Sequence, residues 1–297
     1  MHPLPSVNEK PQHDFFWTLT PQGFHKVAYL EWGHHLNPNT LLCLHGLTGN
    51  SRDFDFLAQS LQKAFRLICP DLLGRGESDY LTTAQGYSFA QYMNDMVTLI
   101  ARLGTHKVHW LGTSLGGIIG MMLAAQPNSP IKSLILNDVG MIIPNIALRR
   151  LETYARNDNT FVSFHEAKTY FQTVLAPTGI QDQEHWNHIT QFGIKRDDVG
   201  DFRLSYDPKI GQLLMSESTA SLHLETYWQA IKCPILIIRG EESDFLVPEI
   251  LTKMLYFQPD AKVITIPNCG HAPSLMTEDQ IRVVENWLKE MQNSDLS

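Results

Sequence analysis

The chain has 297 residues, of which 43% are hydrophobic and 18% are charged, and its formal net charge at pH 7 is −8. This length and composition suit one large α/β domain, or a domain with an insertion, that buries a sizeable core. The acidic balance argues against nucleic acid or an anionic membrane as a partner, and no apolar run is as long as a membrane span. The polar, proline-broken segment Met1–Lys10 predicts neither a signal peptide nor a lipidation site.

Cysteine usage predicts the redox compartment. The four cysteines lie far apart in the sequence and form no C-x-x-C pair; they are Cys43, Cys69, Cys233 and Cys269. Two of them fall in strand-like runs, where a free cysteine behaves as a small buried hydrophobe. A disulfide framework is therefore not expected, and we predict a cytoplasmic protein.

The first elements along the chain form a predicted β-hairpin, with Asp14–Thr20 and Phe24–Trp32 flanking Pro21-Gln22-Gly23. Short apolar runs separated by helical segments follow it. These strand candidates are Leu41–Leu44, Leu67–Pro70, Val108–Leu111, Leu134–Asn137, Ile235–Ile238 and Val263–Ile266. Nearly continuous apolar strands that alternate with helices predict a mostly parallel sheet covered on both faces, which is an α/β fold.

The alternation breaks between Val139 and about Tyr227, where the sequence is polar, helical in pattern, rich in aromatic residues and without a convincing strand. We interpret residues 141–227 as a helical cap inserted into a core formed by residues 1–140 and 228–297. Most of its aromatic side chains are expected to pack within the cap. A few are expected to line a substrate pocket.

A candidate nucleophile lies between the strand Val108–Leu111 and an apolar helix. The segment Gly112-Thr113-Ser114-Leu115-Gly116-Gly117 contains a G-x-S-x-G pattern. At a strand-to-helix junction this pattern makes a sharp turn that exposes the serine hydroxyl. It also places Ser114 beside backbone N–H groups at the start of a helix, which have no helical partner.

A serine needs a base, and the base needs a third group to orient it. Catalytic groups in such sheets gather at the carboxyl ends of the strands. His271 follows the last strand candidate and Asp244 follows Ile235–Ile238, which gives the order Ser, Asp, His. We therefore predict the triad Ser114, Asp244 and His271. Asp138, which follows the strand Leu134–Asn137, is the alternative acid.

An oxyanion hole is predicted in the loop after Leu41–Leu44, which begins His45-Gly46-Leu47. Gly46 would allow the N–H of Leu47 to point inward beside the N–H of Leu115. We expect His45 to brace this loop through its ring nitrogens, and Arg75 to anchor a loop, without direct roles in chemistry.

These motifs together resemble the α/β-hydrolase superfamily, in particular its capped esterase-like branch with a serine nucleophile. The matching segments are His45-Gly46, Asp71–Ser78, Gly112–Gly117, Asn137–Gly140, Gly240–Asp244 and Gly270–Pro273. The resemblance implies an eight-stranded, mostly parallel sheet with a helical cap. It also implies that Ser114 attacks a carbonyl, that His271 transfers the proton and that the acid orients His271. Relatives that open epoxides or displace halide carry a carboxylate nucleophile, so Ser114 argues against both activities.

The leading functional hypothesis is a cofactor-free serine hydrolase acting on a small ester, lactone or thioester, in the manner of a carboxylesterase. A carbon–carbon bond hydrolase of a vinylogous diketone would use the same triad, with Arg149 and Arg150 as candidates to bind a substrate carboxylate. A non-catalytic ligand-binding or receptor-like protein is the alternative from another class. We expect a small-molecule substrate and no metal or cofactor. The chain is expected to be a monomer or a homodimer.

Overall fold

The computed structural model describes residues 10–211 and 221–294 of the chain. The strands in these ranges are β1 (Gln12–Thr20), β2 (Gly23–Trp32), β3 (Thr40–Leu44), β4 (Arg66–Pro70), β5 (Val108–Thr113), β6 (Ile131–Asn137), β7 (Ile142–Ile143), β8 (Thr160–Phe161), β9 (Ile194–Arg196), β10 (Phe202–Leu204), β11 (Leu222–His223), β12 (Ile235–Gly240) and β13 (Lys262–Ile266). The α-helices in the same ranges are α1 (Asp55–Leu61), α2 (Phe89–Arg102), α3 (Leu115–Ala124), α4 (Asn145–Ala155), α5 (Phe164–Val174), α6 (Gln183–Gly193), α7 (Glu225–Ala230), α8 (Pro248–Phe257) and α9 (Glu278–Ser294).

A central sheet of eight strands has the order β1-β2-β4-β3-β5-β6-β12-β13. The β1–β2 hairpin and the β2–β4 pair are antiparallel. All other neighbouring pairs of this sheet are parallel. The predicted hairpin and the six predicted strands are all present, so the predicted α/β fold with an eight-stranded, mostly parallel sheet is confirmed.

Helices cover both faces of this sheet, which explains why its central strands are apolar throughout. Every residue of β3 and of β12 is buried. On one face, Met96 of α2 and Ile119 of α3 belong to the larger apolar cluster. On the other face, Leu57 of α1 and Trp287 of α9 belong to a second cluster. Burial of these side chains is the main favourable contribution to folding.

The chain between β6 and β12 contains helices α4 to α7, but it also contains strands, contrary to the prediction. Strands β8, β10 and β9 form a small antiparallel sheet, and β11 pairs with β7. Each of these strands has only two or three residues, which is too short to show an alternating pattern in the sequence. The division into a cap at 141–227 and a surrounding core stays a prediction. Within the described ranges, no helix combines the length and apolar character needed to cross a bilayer.

Candidate active site

Ser114 lies at the turn between β5 and α3, at the carboxyl end of the sheet. Its backbone has φ 50° and ψ −113°, an uncommon conformation for a residue with a side chain. A Cβ on Gly116 would come 2.1 Å from the carbonyl oxygen of Leu44, and a Cβ on Gly112 would come 2.3 Å from the backbone of Gly116. Both glycines are therefore required by close backbone packing, and the turn that they permit holds Ser114 in its strained conformation.

His271 lies on the loop after β13 and contacts Ser114 directly. Its Nε2 is 2.9 Å from Ser114 Oγ, and its Nδ1 is 2.8 Å from Asp138 Oδ2. A carboxylate only accepts hydrogen bonds, so Nδ1 carries the proton and Nε2 is free to accept the serine proton. The ring of Phe245 stacks on the imidazole with a centroid separation of 3.8 Å. The imidazole of His271 is thus held by a hydrogen bond at one edge and by an aromatic ring on one face.

The structure places Asp138 beside His271, and it does not place Asp244 there. Asp138 is completely buried beside His271, whereas the Asp244 side chain is 44% exposed and forms two 2.8 Å hydrogen bonds with Arg150 on α4. Asp138 has φ 55°, a left-handed conformation at the end of β6 that is uncommon for a residue other than glycine. The loop after β12 directs Ser243 toward Asp138 and Asp244 toward the helix that carries Arg150. The preferred prediction of Asp244 is therefore contradicted by the geometry, which favours the alternative, Asp138.

Three donors surround the buried Asp138 carboxylate. The Gly240 N–H donates to Oδ1 over 2.9 Å, while Ser243 Oγ lies 2.6 Å from Oδ2, the oxygen that also faces His271. Ser243 Oγ accepts the N–H groups of Phe245 at 3.1 Å and Leu246 at 3.0 Å, so its own proton points to Asp138. Hydrogen bonds of this kind offset the cost of burying a charged group.

The predicted oxyanion loop lies against Ser114. A Cβ built on Gly46 would be 3.7 Å from Ser114 Cβ, which is ordinary contact. Leu115 is the first residue of α3, so its N–H has no partner within the helix. In the described part of the chain, neither the Leu47 N–H nor the Leu115 N–H has a hydrogen-bond acceptor. Both groups are therefore free to receive a substrate oxygen, and their role in an oxyanion hole stays a prediction.

Two buried basic side chains hold this loop, as expected from the sequence. His45 Nε2 accepts the Leu72 N–H over 3.0 Å, so its Nδ1 carries the proton and donates to the carbonyl of Gly46 at 2.6 Å. Burial, together with the nearby Arg75 guanidinium, lowers the pKa of His45 to about 3, which keeps the ring neutral. Arg75 Nε donates to the carbonyl of Leu47 over 2.8 Å. Fixing the carbonyls of Gly46 and Leu47 also fixes the orientation of the loop.

A pocket with a cavity volume of about 160 Å³ opens beside Ser114 and His271. The segment between β6 and β12 contributes four aromatic side chains to it, Tyr154, Tyr170, Phe171 and Tyr206, which agrees with the expectation that a few aromatic residues line the pocket. Pockets for drug-sized ligands are roughly 300–1,000 Å³, so this cavity suits a small acyl group.

The pocket contains few ionisable side chains. Apart from the tyrosines, only His271 and Asp53 ionise among the described residues that line it, and none of these residues is a lysine or arginine. Burial raises the pKa of Asp53 to about 7, and the carboxylates of Asp71 and Asp55 add to the effect. The pocket is therefore largely apolar, with a single carboxyl group whose protonation changes near neutral pH.

The histidines of the described chain are not gathered into a metal centre. In residues 10–211 and 221–294, no group of three His, Cys, Asp or Glu side chains could hold a metal ion. His185 and His188 instead make edge contacts with the ring of Phe56.

Two polar residues near the triad were missed in the sequence. Ser243 directly precedes the predicted acid, and only the direction of the loop shows that it faces the site. Asn137 ends β6, and its Nδ2 donates to the carbonyl of Pro273 at 2.8 Å and to Thr113 Oγ1 at 3.0 Å. It therefore ties the loop of His271 to β5, the strand that leads to Ser114. The signal that the sequence offered for Asn137 was a polar residue at the end of an otherwise apolar strand.

The sequence is similar to several known proteins. Residues 39–275 match the family model described as alpha/beta hydrolase fold. The chain is 38% identical over 289 residues to the 3-hydroxybutyrate-oligomer hydrolase of Cupriavidus necator, covering 95% of this chain and 99% of that protein. It is 26% identical to Lipase 1 of Psychrobacter immobilis, covering 89% of this chain and 80% of the lipase.

Solved structures show the same architecture. A crystal structure from Rickettsia typhi is 34% identical and superimposes with a TM-score of 0.86, covering 95% of this chain and 99% of that one. An alpha/beta hydrolase from Novosphingobium aromaticivorans is 28% identical with a TM-score of 0.83, covering 94% of this chain and 98% of that one.

Proposed function

The chain belongs to the alpha/beta hydrolase fold family, and from this premise we propose that it is a cofactor-free serine hydrolase that cleaves small esters through an acyl-enzyme. The observation that carries the proposal is the hydrogen-bonded chain from Asp138 through His271 to Ser114, with separations of 2.8 Å and 2.9 Å, beside a small pocket.

The proposed reaction has two halves. His271 Nε2 takes the proton of Ser114 Oγ as this oxygen attacks the ester carbonyl, and it then gives the proton to the departing alcohol. A water molecule, activated by the same nitrogen, then attacks the acyl-enzyme and releases the carboxylic acid and Ser114. Asp138 keeps the proton on Nδ1 and stabilises the imidazolium that forms in both halves. The N–H groups of Leu47 and Leu115 would bind the carbonyl oxygen as it becomes negative.

The relative from Cupriavidus necator supports a substrate class. It is named as a hydrolase of 3-hydroxybutyrate oligomers, and it is 38% identical over nearly its whole length. Such oligomers are short aliphatic esters of a hydroxy acid. A cavity of about 160 Å³ lined largely by apolar side chains is consistent with an acyl group of that size. We therefore propose short hydroxyacyl esters as substrates, with plain short-chain esters as poorer ones.

The two alternative functions receive less support. The described pocket residues include no cation to bind the carboxylate of a vinylogous diketone. Arg150 is paired with Asp244, and Arg149 donates to the side chain of Asn145 at the surface. A purely ligand-binding role would not require a serine within hydrogen-bond distance of an oriented histidine.

Covalent labelling combined with turnover tests the proposal. A fluorophosphonate probe is expected to label the wild-type chain, and Ser114→Ala is expected to abolish both labelling and hydrolysis of 3-hydroxybutyrate dimer. Retained labelling in Ser114→Ala would assign the nucleophile elsewhere. A folded wild-type chain that neither reacts with the probe nor cleaves any short ester would favour the ligand-binding alternative, and cleavage of a ring-cleavage diketone alone would favour the carbon–carbon hydrolase.

A further inference from the structure

Asp53 is a partly exposed carboxyl group in an unusual position. It lies on the short 3-10 helix Ser51–Phe54, directly after the predicted oxyanion loop, and it lines the pocket that contains Ser114 and His271. A Cβ on Gly49 would come 2.1 Å from Asp53 Oδ2, so the carboxyl group packs closely against this loop. No other Asp or Glu is among the described residues that line the pocket.

Among the described residues, only one oxygen of Asp53 has a hydrogen-bond partner. Oδ2 accepts the Asn50 N–H over 3.3 Å, which completes a capping box at the start of the short helix. In the ranges that the structure describes, Oδ1 has no hydrogen-bond partner. Arg52, the nearest basic residue in the sequence, is not available because it pairs with Asp55 and lies over the ring of Phe192. The second oxygen can therefore accept a hydrogen bond from a ligand in the pocket.

The charges around Asp53 limit which ligand group it can bind. Asp55 and Asp71 are the carboxylates that act on it, and His271 and the tyrosines are the other ionisable groups of the pocket. With a pKa raised to about 7, Asp53 exists both as the acid and as the carboxylate near neutral pH. A substrate carboxylate could be bound only by the acid form, and an ammonium group would be preferred only by the carboxylate. A hydroxyl group both donates and accepts, so either form can bind it.

We propose that Asp53 is a specificity-determining residue that hydrogen-bonds a hydroxyl group carried by the substrate ester. This inference rests on the proposed function and deepens it, because it assigns recognition of the hydroxyacyl class to one side chain. Asp53 takes no part in bond making or breaking. Its contribution is to favour hydroxy esters over otherwise identical esters that lack the hydroxyl.

The test compares ethyl 3-hydroxybutyrate, as each enantiomer, with ethyl butyrate. The ratio of their kcat/KM values cancels any general loss of activity, since both esters use the same triad. We expect the wild type to prefer the better hydroxy ester by about tenfold, the size of one hydrogen bond to a charged group. Asp53→Leu should lower the ratio to near one. Asp260→Leu is the matched control, because it makes the same change at an exposed aspartate that does not line the pocket, and it should leave the ratio unchanged.

Asp53→Asn provides a second measurement that does not depend on folding of the leucine variant. Its amide can keep the capping contact and can still bind a hydroxyl, but it cannot ionise. The wild-type ratio should rise between pH 6 and pH 8, because a charged acceptor makes a stronger hydrogen bond. The ratio in Asp53→Asn should stay constant over the same range.

The outcomes separate this inference from the proposed function. A wild-type ratio near one, or an unchanged ratio in Asp53→Leu, overturns the role of Asp53 while ester hydrolysis stands. A wild-type ratio that does not change with pH, or that changes equally in Asp53→Asn, also overturns it. Absence of hydrolysis of both esters by folded wild-type protein overturns the proposed function itself.

Discussion

Replacing Asp138 by asparagine, with Asp244→Asn as the matched control, tests which acid serves His271. The same chemical change is made at two positions whose surroundings differ. Asp138 is completely buried with donors at both of its oxygens, whereas Asp244 is 44% exposed and paired with Arg150. The comparison therefore isolates the effect of the environment.

The contacts allow the size of the effect to be worked out. In Asp138→Asn, the amide NH₂ must face either the Gly240 N–H or the pair formed by Ser243 and His271. In the first placement the NH₂ group meets the Gly240 N–H, so one donor faces another. In the second it faces Ser243 and His271, and it turns the histidine to the tautomer that cannot accept the proton of Ser114. Loss of the correct tautomer costs about 10⁴-fold in kcat in serine proteases. We expect a fall of about 10³- to 10⁴-fold, which corresponds to about 4 to 5.5 kcal/mol of activation free energy.

Asp244→Asn should behave differently, because it weakens a partly exposed ion pair worth about 0–1 kcal/mol. Its kcat is expected to stay within about fivefold of the wild type. The assay is steady-state hydrolysis of a short nitrophenyl ester, with circular dichroism to show that both variants fold. Severe loss in Asp244→Asn with activity retained in Asp138→Asn would refute the reasoning and return the acid to Asp244.

Three further predictions follow from the same contacts. Ser243→Ala should lower kcat by about tenfold, because Asp138 loses a donor that holds its carboxylate in place beside His271; an unchanged kcat would limit Ser243 to a structural role. Gly116→Ala should lower the free energy of unfolding by about 1–3 kcal/mol or more, because its Cβ would lie 2.1 Å from a backbone oxygen; thermal unfolding at an unaltered midpoint would contradict this. His45 has a folded-state pKa of about 3, below its ordinary 6.5. Between these two pH values His45 binds a proton in the unfolded chain but not in the folded chain. The free energy of unfolding therefore falls as the pH falls from about 6.5 toward 3. The raised pKa of Asp53 has the opposite effect, because it adds stability as the pH falls from about 7 toward its ordinary 3.8. Asp53→Asn removes this opposing contribution, so the urea concentration at the unfolding midpoint of that variant should fall between pH 6.5 and pH 4. A constant midpoint would exclude the His45 effect.

Much of the fold could be predicted because its signals are local. Each central strand is a short apolar run, and β3 and β12 are buried at every position. The turn around Ser114 was equally visible, since the glycines that it requires are adjacent in the sequence. The strands between β6 and β12 were not predicted, because pairings of two or three residues are decided by the neighbouring chain.

The residues that complete the site could not be assigned in the same way. Asp138 and Asp244 follow different strands, and the choice between them depends on which of the two side chains turns toward His271. Neighbouring residues in a loop can face opposite directions. Ser243 and Asp244 show this, because one contacts Asp138 and the other contacts Arg150. The pocket carboxyl Asp53 was not predicted either, since its surroundings come from distant segments of the chain.

By itself, the sequence determined the sheet, the serine and the histidine, because each follows from a short segment whose conformation is set by its own residues. The tertiary structure alone decided which carboxylate lies beside His271, that Ser243 contacts it, and the composition of the pocket. The physical reason is that hydrogen bonds and burial join groups far apart in the chain, such as His271 and Asp138, which are 133 positions apart. Local patterns specify where chemistry is possible, and packing specifies which side chains carry it.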